Sequence, residues 1–317
     1  MLIRACSPAD YPRMAEILNA SWPQPVYTPE QMQAQEEASS KDGPGQMQYY
    51  VAEQNGQVSG VAFYDQPPRF YQPGKFRTTI AVAPHQRQQG IASALDTHLL
   101  SELRRSSARE IWTKLHEAMI PGIHFARARG FREETQIWEL LRDISSIDLS
   151  PYSSLINKLQ QQGIEIHTLQ ELLQADPGCL QKLYELFAQI GQDLPATEYW
   201  HSPTYTEFLG ELARRSPAAY FIAHAGESYL GLSYLGQRTI QHPWTIGLTG
   251  VSRAERRRGI ALALKVRGMA YAQQQGCRFL GTSVDAANQA SLALNAKLGF
   301  IHQETWLVFS KKLTEVC

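Results

Sequence analysis

The sequence predicts an α/β protein (α+β, mixed sheet) made of two consecutive copies of one domain, and three observations carry that expectation. The chain has 317 residues, about twice an ordinary domain at roughly 150 residues each. Val82–Leu95 aligns without a gap on Val251–Leu264, with Val, Arg, Gly, Ile, Ala, Ala and Leu identical at matching places. The same register pairs Gly130-Phe131 with Gly299-Phe300, and a fixed offset sustained that far is the mark of duplication. Finally, both halves run through strand and helix patterns in the same order.

That order starts with a short strand pattern at Leu2–Ala5, answered by Ile164–Thr168. Early helices follow, and then two β-rich runs flank a tight turn. In the first half these are Tyr49–Glu53 and Val58–Tyr64 around Asn55-Gly56; in the second, Tyr220–His224 and Tyr229–Leu235 around Ala225-Gly226. Asn-Gly between alternating apolar residues is a hairpin signal. A third strand, Thr78–Val82 or Thr245–Val251, leads into the shared motif, which opens a helix. In the first copy Ile91, Leu95, Leu99 and Leu103 recur every fourth residue as a buried stripe; the second copy is apolar over a wider arc. A strand, a helix, Gly-Phe and a closing hairpin (Gln136–Leu141; Thr305–Ser310) complete each half. The expected domains are 1–145 and 164–317. Between them lies a polar linker, 146–163, ending in a short amphipathic helix near Leu155–Gln162.

Composition narrows the function classes. Thirty Lys+Arg balance thirty Asp+Glu, unlike a domain built to coat nucleic acid. Residues 1–150 hold 15 basic and 17 acidic side chains, net −2, leaving the second half at +2. No apolar run is long enough for a membrane span, and Met1–Cys6 enters a strand pattern without a leader-like apolar stretch. Cys6, Cys179, Cys277 and Cys317 are scattered, so neither a metal site nor a disulfide framework is expected and a cytoplasmic setting fits.

The repeated Arg-x-x-Gly-x-Ala stands between a strand ending in Val and a helix. The first N–H groups of a helix lack intrahelical partners and sit at the positive end of its dipole, so an anion such as a diphosphate can bind there. Glycine permits close approach of the phosphate. Neither a Walker A loop nor a GxGxxG fingerprint occurs.

On Arg87–Ala92 and Arg256–Ala261, with the hairpin upstream and Gly-Phe downstream, each half resembles the GNAT superfamily of acyl-CoA-dependent N-acetyltransferases, and the whole chain resembles its tandem members. The resemblance implies acetyl-CoA as cofactor. Its diphosphate would lie on Arg87, Gln88, Gln89, Gly90, Ile91, Ala92 and Ser93, or on Arg256, Arg257, Arg258, Gly259, Ile260 and Ala261. Ile80, Ala81 and Val82, or Thr249, Gly250 and Val251, would pair with the pantetheine arm; the plain alternative for these is a core strand end. Arg253, Arg256, Arg257 and Arg258 favour the second loop for phosphate, unless they form only a solvated basic stretch.

Further along, Asn288 matches a cofactor-contacting Asn of the family, and also suits a helix N-cap. Asn295 occupies the place of a proton-donating Tyr, and can only offer a hydrogen bond. In the first half Met119 and Ala126 fall at these two places, with Pro121-Gly122 expected to disturb the helix start. The second domain is therefore expected to be catalytic and the first degenerate. Candidate catalytic residues are Asp285, Asn295 and Tyr234, with Glu304 as a further carboxylate; a cap, a surface acid or a core aromatic is the bland reading of each. Asp193, Glu198, Tyr199, Trp200 and Tyr205 suggest an acidic, aromatic entrance for a small-molecule amine, or else a solvated loop. The expected enzyme is an N-acetyltransferase, monomer or homodimer, without nucleic-acid or membrane partners. Its rivals are a non-catalytic acyl-CoA-binding module and an acetyltransferase acting on protein amines.

Overall fold

The computed structural model describes residues 1–23, 27–39, 45–67, 71–194, 202–236 and 244–313. Two units form, one from Met1–Gln136 with Thr305–Cys317, the other from Ile137–Glu304. Each is described separately.

In the first unit, β1 (Leu2–Ala5), β2 (Met47–Gln54), β3 (Gln57–Asp65) and β4 (Lys75–Val82) form an antiparallel series, as the hairpin signal at Asn55-Gly56 requires. A crossover through α3 (Ile91–Arg105) makes β5 (Glu110–His116) parallel to β4. The α3 stripe Ile91, Leu95, Leu99 and Leu103 is buried on one sheet face. α1 (Tyr11–Asn19) and α2 (Pro29–Glu37) cover the other, with Met14, Ile17, Leu18 and Met32 against Tyr49, Val51, Val61 and Phe63. α4 (Ile120–Ala128) follows β5, and Pro121 sits in its first turn. The helix start is therefore not disturbed, contrary to expectation: a first-turn N–H has no helical acceptor to lose.

The closing hairpins do not form. β6 (Arg132–Asp143) and β12 (Ile301–Lys312) are single long strands, each with neighbours far away in sequence. Trp306–Lys312 pairs antiparallel with β5 and completes the first unit's sheet. Ile137–Asp143 does the same for the second unit. The units thus do not follow the chain's halves: each takes its last strand from the far half of the sequence. Periodicity reports that a segment is a strand and not which edge it joins. Phe309 on β12 is fully buried among α3, β5 and α4 side chains of the first unit. Phe309→Leu is expected to cost about 1–2 kcal/mol, read as a lower urea midpoint.

The second unit repeats the plan. β7 (Glu165–Thr168), β8 (Tyr220–Ala225), β9 (Ser228–Gly236) and β10 (Trp244–Val251) are antiparallel, and β11 (Phe279–Asp285) is parallel to β10. α9 (Ile260–Gln274) packs on one face, and its wider apolar arc is buried: Ala263, Leu264, Val266 and Met269 meet Phe221 and Leu280. α5 (Ser153–Gln161), the helix expected in the linker, joins this core through Leu159, so the segment is an ordered part of the unit. α6 (Leu169–Ala175), α7 (Cys179–Gly191) and α8 (Tyr205–Ala213) cover the other face around Tyr220, Ile222, Leu232 and Tyr234. α10 (Gln289–Lys297) lies between β11 and β12 in the chain. Cys277 is buried and its thiol donates to the Phe279 carbonyl, which fits a core role. Among the described residues no helix is long and apolar enough to cross a membrane.

Candidate functional site

Each unit contains a wedge-shaped opening in its sheet. In the second, β10 and β11 pair only over Trp244–Ile246 against Leu280–Thr282. Beyond that point β10 stays with β9 as far as Val251, and β11 stays with β6 as far as Asp285. The backbone from Gly247 to Val251 therefore has no strand partner on the β11 side. In the first unit β4 and β5 pair only over Lys75–Arg77 against Glu110–Trp112, and Thr78–Val82 is left in the same state. Buried N–H and C=O groups require partners. An edge of this kind suits an extended ligand that carries amides of its own.

The repeated motif closes the wide end of each opening. Gly90 and Gly259 precede α3 and α9 with φ of +80° and +90°. Two residues earlier, Gln88 and Arg257 also take positive φ, 63° and 66°. Positive φ is uncommon outside glycine, and its recurrence at matching positions shows that both loops adopt one special shape. Alternating backbone signs turn successive N–H groups to one side, making an anion-binding concavity at a helix N-terminus. The sequence alignment placed these residues together; the backbone strain at Gln88 and Arg257 was not readable from it.

The arginines divide the work. Arg87 Nε donates to the Val82 carbonyl at 3.2 Å, and Arg256 Nε to the Val251 carbonyl at the same distance. This shared arginine ties the loop to its strand. Arg87 also reaches Ser21 Oγ at 3.2 Å, while Arg253 and Arg256 both pair with Asp193 at the end of α7. Arg258 pairs with Glu255 and donates to Gln162 at 2.9 Å. Arg257 is exposed and has no acceptor among the described residues. The basic run is therefore mostly loop scaffolding, and only Arg257 keeps its donors uncommitted. Asp193 is likewise not an open acid for an incoming amine. The two arginines, Arg253 first, hold its carboxyl below the usual range.

Two differences separate the units. β10 carries an irregularity: Ile246 pairs with Leu235 but Thr249 with Ser233, so Gly247 and Leu248 oppose Tyr234 alone. Such a bulge redirects the backbone locally. Gly247 lies directly on the Tyr234 ring, where any Cβ would overlap it. β4 keeps regular register with β3 from Arg77 to Val82, without a bulge. The second difference is the brace under the loop. A Cβ at Gly259 would meet Leu155 Cδ1 of α5 at 2.6 Å, whereas one at Gly90 would meet nothing within 4 Å.

Other singled-out residues fall as follows. Ile91 and Ile260 are buried, so only their backbones face the loop. Asp285 ends β11 beside the opening; it is fully buried and accepts from the Ala287 N–H at 2.8 Å. Asn288 caps α10, its side chain accepting from the Ser291 N–H at 3.1 Å. Met119 stands at the equivalent place before α4 and offers no cap bond. Tyr234 is buried, stacked on Tyr220 and covered by the Arg215 guanidinium at 4.2 Å from its ring. Asn295 is fully buried, accepting from Lys265 Nζ at 2.7 Å and donating to Ser291 Oγ at 3.4 Å. Both ends of its amide are engaged within the unit. Lys265 was missed in the sequence; its signal is a lysine inside the otherwise apolar arc of α9. It is 3% exposed, and burial lowers its ammonium to about 7. Tyr205 packs on Tyr184. Glu198, Tyr199 and Trp200 lie outside the described residues.

Comparison with known proteins agrees with this geometry. The sequence profile of the Acetyltransferase (GNAT) family matches residues 11–131 and again 180–300. A mycothiol acetyltransferase of Catenulispora acidiphila is 22% identical over 275 residues, 82% of this chain and 79% of that protein. A GCN5-related N-acetyltransferase from Sphaerobacter thermophilus has a similar fold, with TM-score 0.71 and 20% identity over 98% of this chain and 95% of the other. So does a tandem GNAT protein from the clavulanic acid biosynthesis pathway, with TM-score 0.70 and 16% identity over 100% and 99%. With the profile matched twice over most of its length, this chain belongs to the acetyltransferase (GNAT) family and carries the family's domain in tandem.

Proposed function

We propose that the second unit is an acetyl-CoA-dependent N-acetyltransferase acting on the amine of a small molecule. The observation that carries this reading is the β10 bulge at the narrow end of the opening, where β10 parts from β11, present in the second unit and absent from the first. The residues fit the cofactor. The concavity at Arg257–Ala261 suits a diphosphate, and the unpaired edge of Gly247–Val251 suits the amides of a pantetheine arm. Bound there, acetyl-CoA supplies an activated acetyl thioester that an amine attacks directly. The re-aimed backbone at Gly247 and Leu248 offers N–H groups where charge develops on a carbonyl oxygen. Arg256 and Asn288 fix the two walls, through the Val251 carbonyl and the start of α10.

Asp285 closes the strand bordering the opening, and we assign it the role of accepting the amine's proton. Asp285→Asn is expected to lower kcat about a hundredfold, with little change in KM for acetyl-CoA and a shifted pH profile. An equal loss in kcat/KM caused by a raised KM alone would assign Asp285 to binding instead. The first unit keeps the loop and the opening but has a regular β4, with Met119 and Ala126 in place of Asn288 and Asn295. These features favour a non-catalytic acyl-CoA-binding role for it. That a relative matched over 82% of this chain is named for mycothiol supports a small-molecule acceptor over a protein one.

Thiol release from acetyl-CoA over a panel of amines tests the reading. Turnover on small amines is expected. Tight acetyl-CoA binding with no turnover on any acceptor would instead make both units binding modules.

A further inference from the structure

Far from the opening, three potential metal ligands converge on the edge of the second unit's sheet. The strand order there runs β6-β11-β10-β9-β8-β7, so β7 is the outermost strand. Glu165 on β7 stands opposite His224 on β8 in register. His167, two residues on, shares its face. His167 Nδ1 and His224 Nε2 are 2.7 Å apart, and His167 Nε2 lies 3.9 Å from Glu165 Oε2. One ligand atom from each of the three side chains lies within 4.8 Å of the other two.

Hydrogen-bond chemistry fixes how the two imidazoles face each other. His224 Nδ1 is 3.1 Å from the Gly226 carbonyl oxygen. A carbonyl only accepts, so Nδ1 carries the proton and Nε2 presents a lone pair toward His167 Nδ1. His167 turns its other nitrogen toward Glu165, at a distance too long for a hydrogen bond. When His167 carries its proton on Nε2, the two facing nitrogens both offer lone pairs, and a divalent cation between them takes both. The exposed Glu165 carboxylate is near enough to supply a third ligand. The Nδ1–H bond to Gly226 is also the outer hydrogen bond that orients a metal-bound imidazole and fixes which nitrogen ligates.

We propose that Glu165, His167 and His224 bind a zinc ion, with a water completing four-coordination. Two imidazoles and one carboxylate are ligands that Zn2+ accepts. Two Zn–N bonds of about 2.0–2.1 Å at a tetrahedral angle separate the nitrogens by about 3.3 Å, so the pair must open by roughly half an ångström. Exposed side chains can do this: His167 is 38% and Glu165 60% accessible. The site stands three strands from β10 and takes no part in the transfer chemistry. Its consequence is mechanical. Thr168, next to His167, is the N-cap of α6 and accepts from the Glu171 N–H, so the ion fastens the edge strand and the helix behind it to β8.

The test uses the full chain stripped of metal with a chelator and titrated with zinc chloride in a calorimeter. One ion per chain at low-micromolar affinity is expected, with melting raised by a few degrees under excess zinc. His167→Asn and His224→Asn should each weaken that binding by at least about tenfold and remove the zinc-dependent rise. Glu165→Gln should weaken it less, and its metal-free melting curve should match the wild type. A wild-type chain that takes up no zinc, or histidine variants that bind as well as wild type, overturns the proposal. If a histidine variant melts early without metal, the Glu165→Gln titration decides alone: unchanged affinity rejects the site.

Discussion

Gly259→Val should abolish turnover, with kcat/KM falling more than about a hundredfold, while Gly90→Val leaves it within a few-fold of wild type. At φ +90° a β-branched residue is a steric outlier, so the backbone must rotate away from its present shape. That rotation swings the N–H groups of Ile260 and Ala261 off the proposed diphosphate position, and displacements near 1 Å can cost about a hundredfold in rate. The loop has nowhere to yield, because Leu155 already stands 2.6 Å from the new Cβ. Local strain of about 1–3 kcal/mol leaves most of the chain folded, which a melting curve checks independently. At Gly90 the φ is +80° but the surrounding space is open. The first loop is distorted there too, and on the proposed reading this removes a binding site without touching the unit assigned the chemistry. The reverse pattern of activity would move catalysis to the first unit. Loss in both variants would show that the two loops act together.

The repeated loop explains how much of this site is legible in the sequence. Strand, turn and helix pattern place Val82, Gly90 and Ile91 in order, and a second copy at fixed offset removes ambiguity about where each element ends. The regular hairpins and the α3 stripe are equally visible because each depends on local periodicity. Three features are not. The destination of β6 and β12 is decided by which sheet edge is open, a long-range property with no local signature. The bulge at Gly247 depends on its packing against the Tyr234 ring, and a glycine in a strand suggests a bulge or close approach without saying which. The partner of each arginine in the second loop depends on where α7 and α5 end in space. Read along the chain, Arg253, Arg256, Arg257 and Arg258 look like a single phosphate patch. Only the folded unit shows Asp193, Glu255 and Gln162 engaging three of them.

Lys265→Met should make the second unit more stable at neutral pH and should flatten its pH dependence. Burial lowers the Lys265 ammonium from 10.5 to about 7. Below pH 7 both folded and unfolded chains carry the proton, and the folded state bears the full cost of a buried charge. Above pH 7 the folded chain releases the proton while the unfolded chain keeps it up to about 10.5, so stability rises with pH. Between pH 7 and 9 the gain is about 2 kcal/mol. The window stops there because Cys6, which burial pushes up to about 12, works in the opposite direction once its unfolded thiol ionises. At pH 7 this depression corresponds to about 5 kcal/mol. Methionine fills a similar volume without the charge, but it leaves Asn295 Oδ1 buried without its donor, which returns about 1–3 kcal/mol. A net gain of about 2–4 kcal/mol at pH 7 is therefore expected, read from urea unfolding at pH 7, 8 and 9. A wild-type curve without a rise from pH 7 to 9 contradicts this account of Lys265. Thioester turnover measured on the same variant then shows why so costly a residue sits at this position. Lys265 holds Asn295, and Asn295 holds Ser291, the residue whose N–H caps onto Asn288 at the start of α10. If that chain of contacts sets the wall of the opening, Lys265→Met is both more stable and roughly tenfold slower, the trade expected where function retains an unfavourable group. Equal speed would confine the pair to the core.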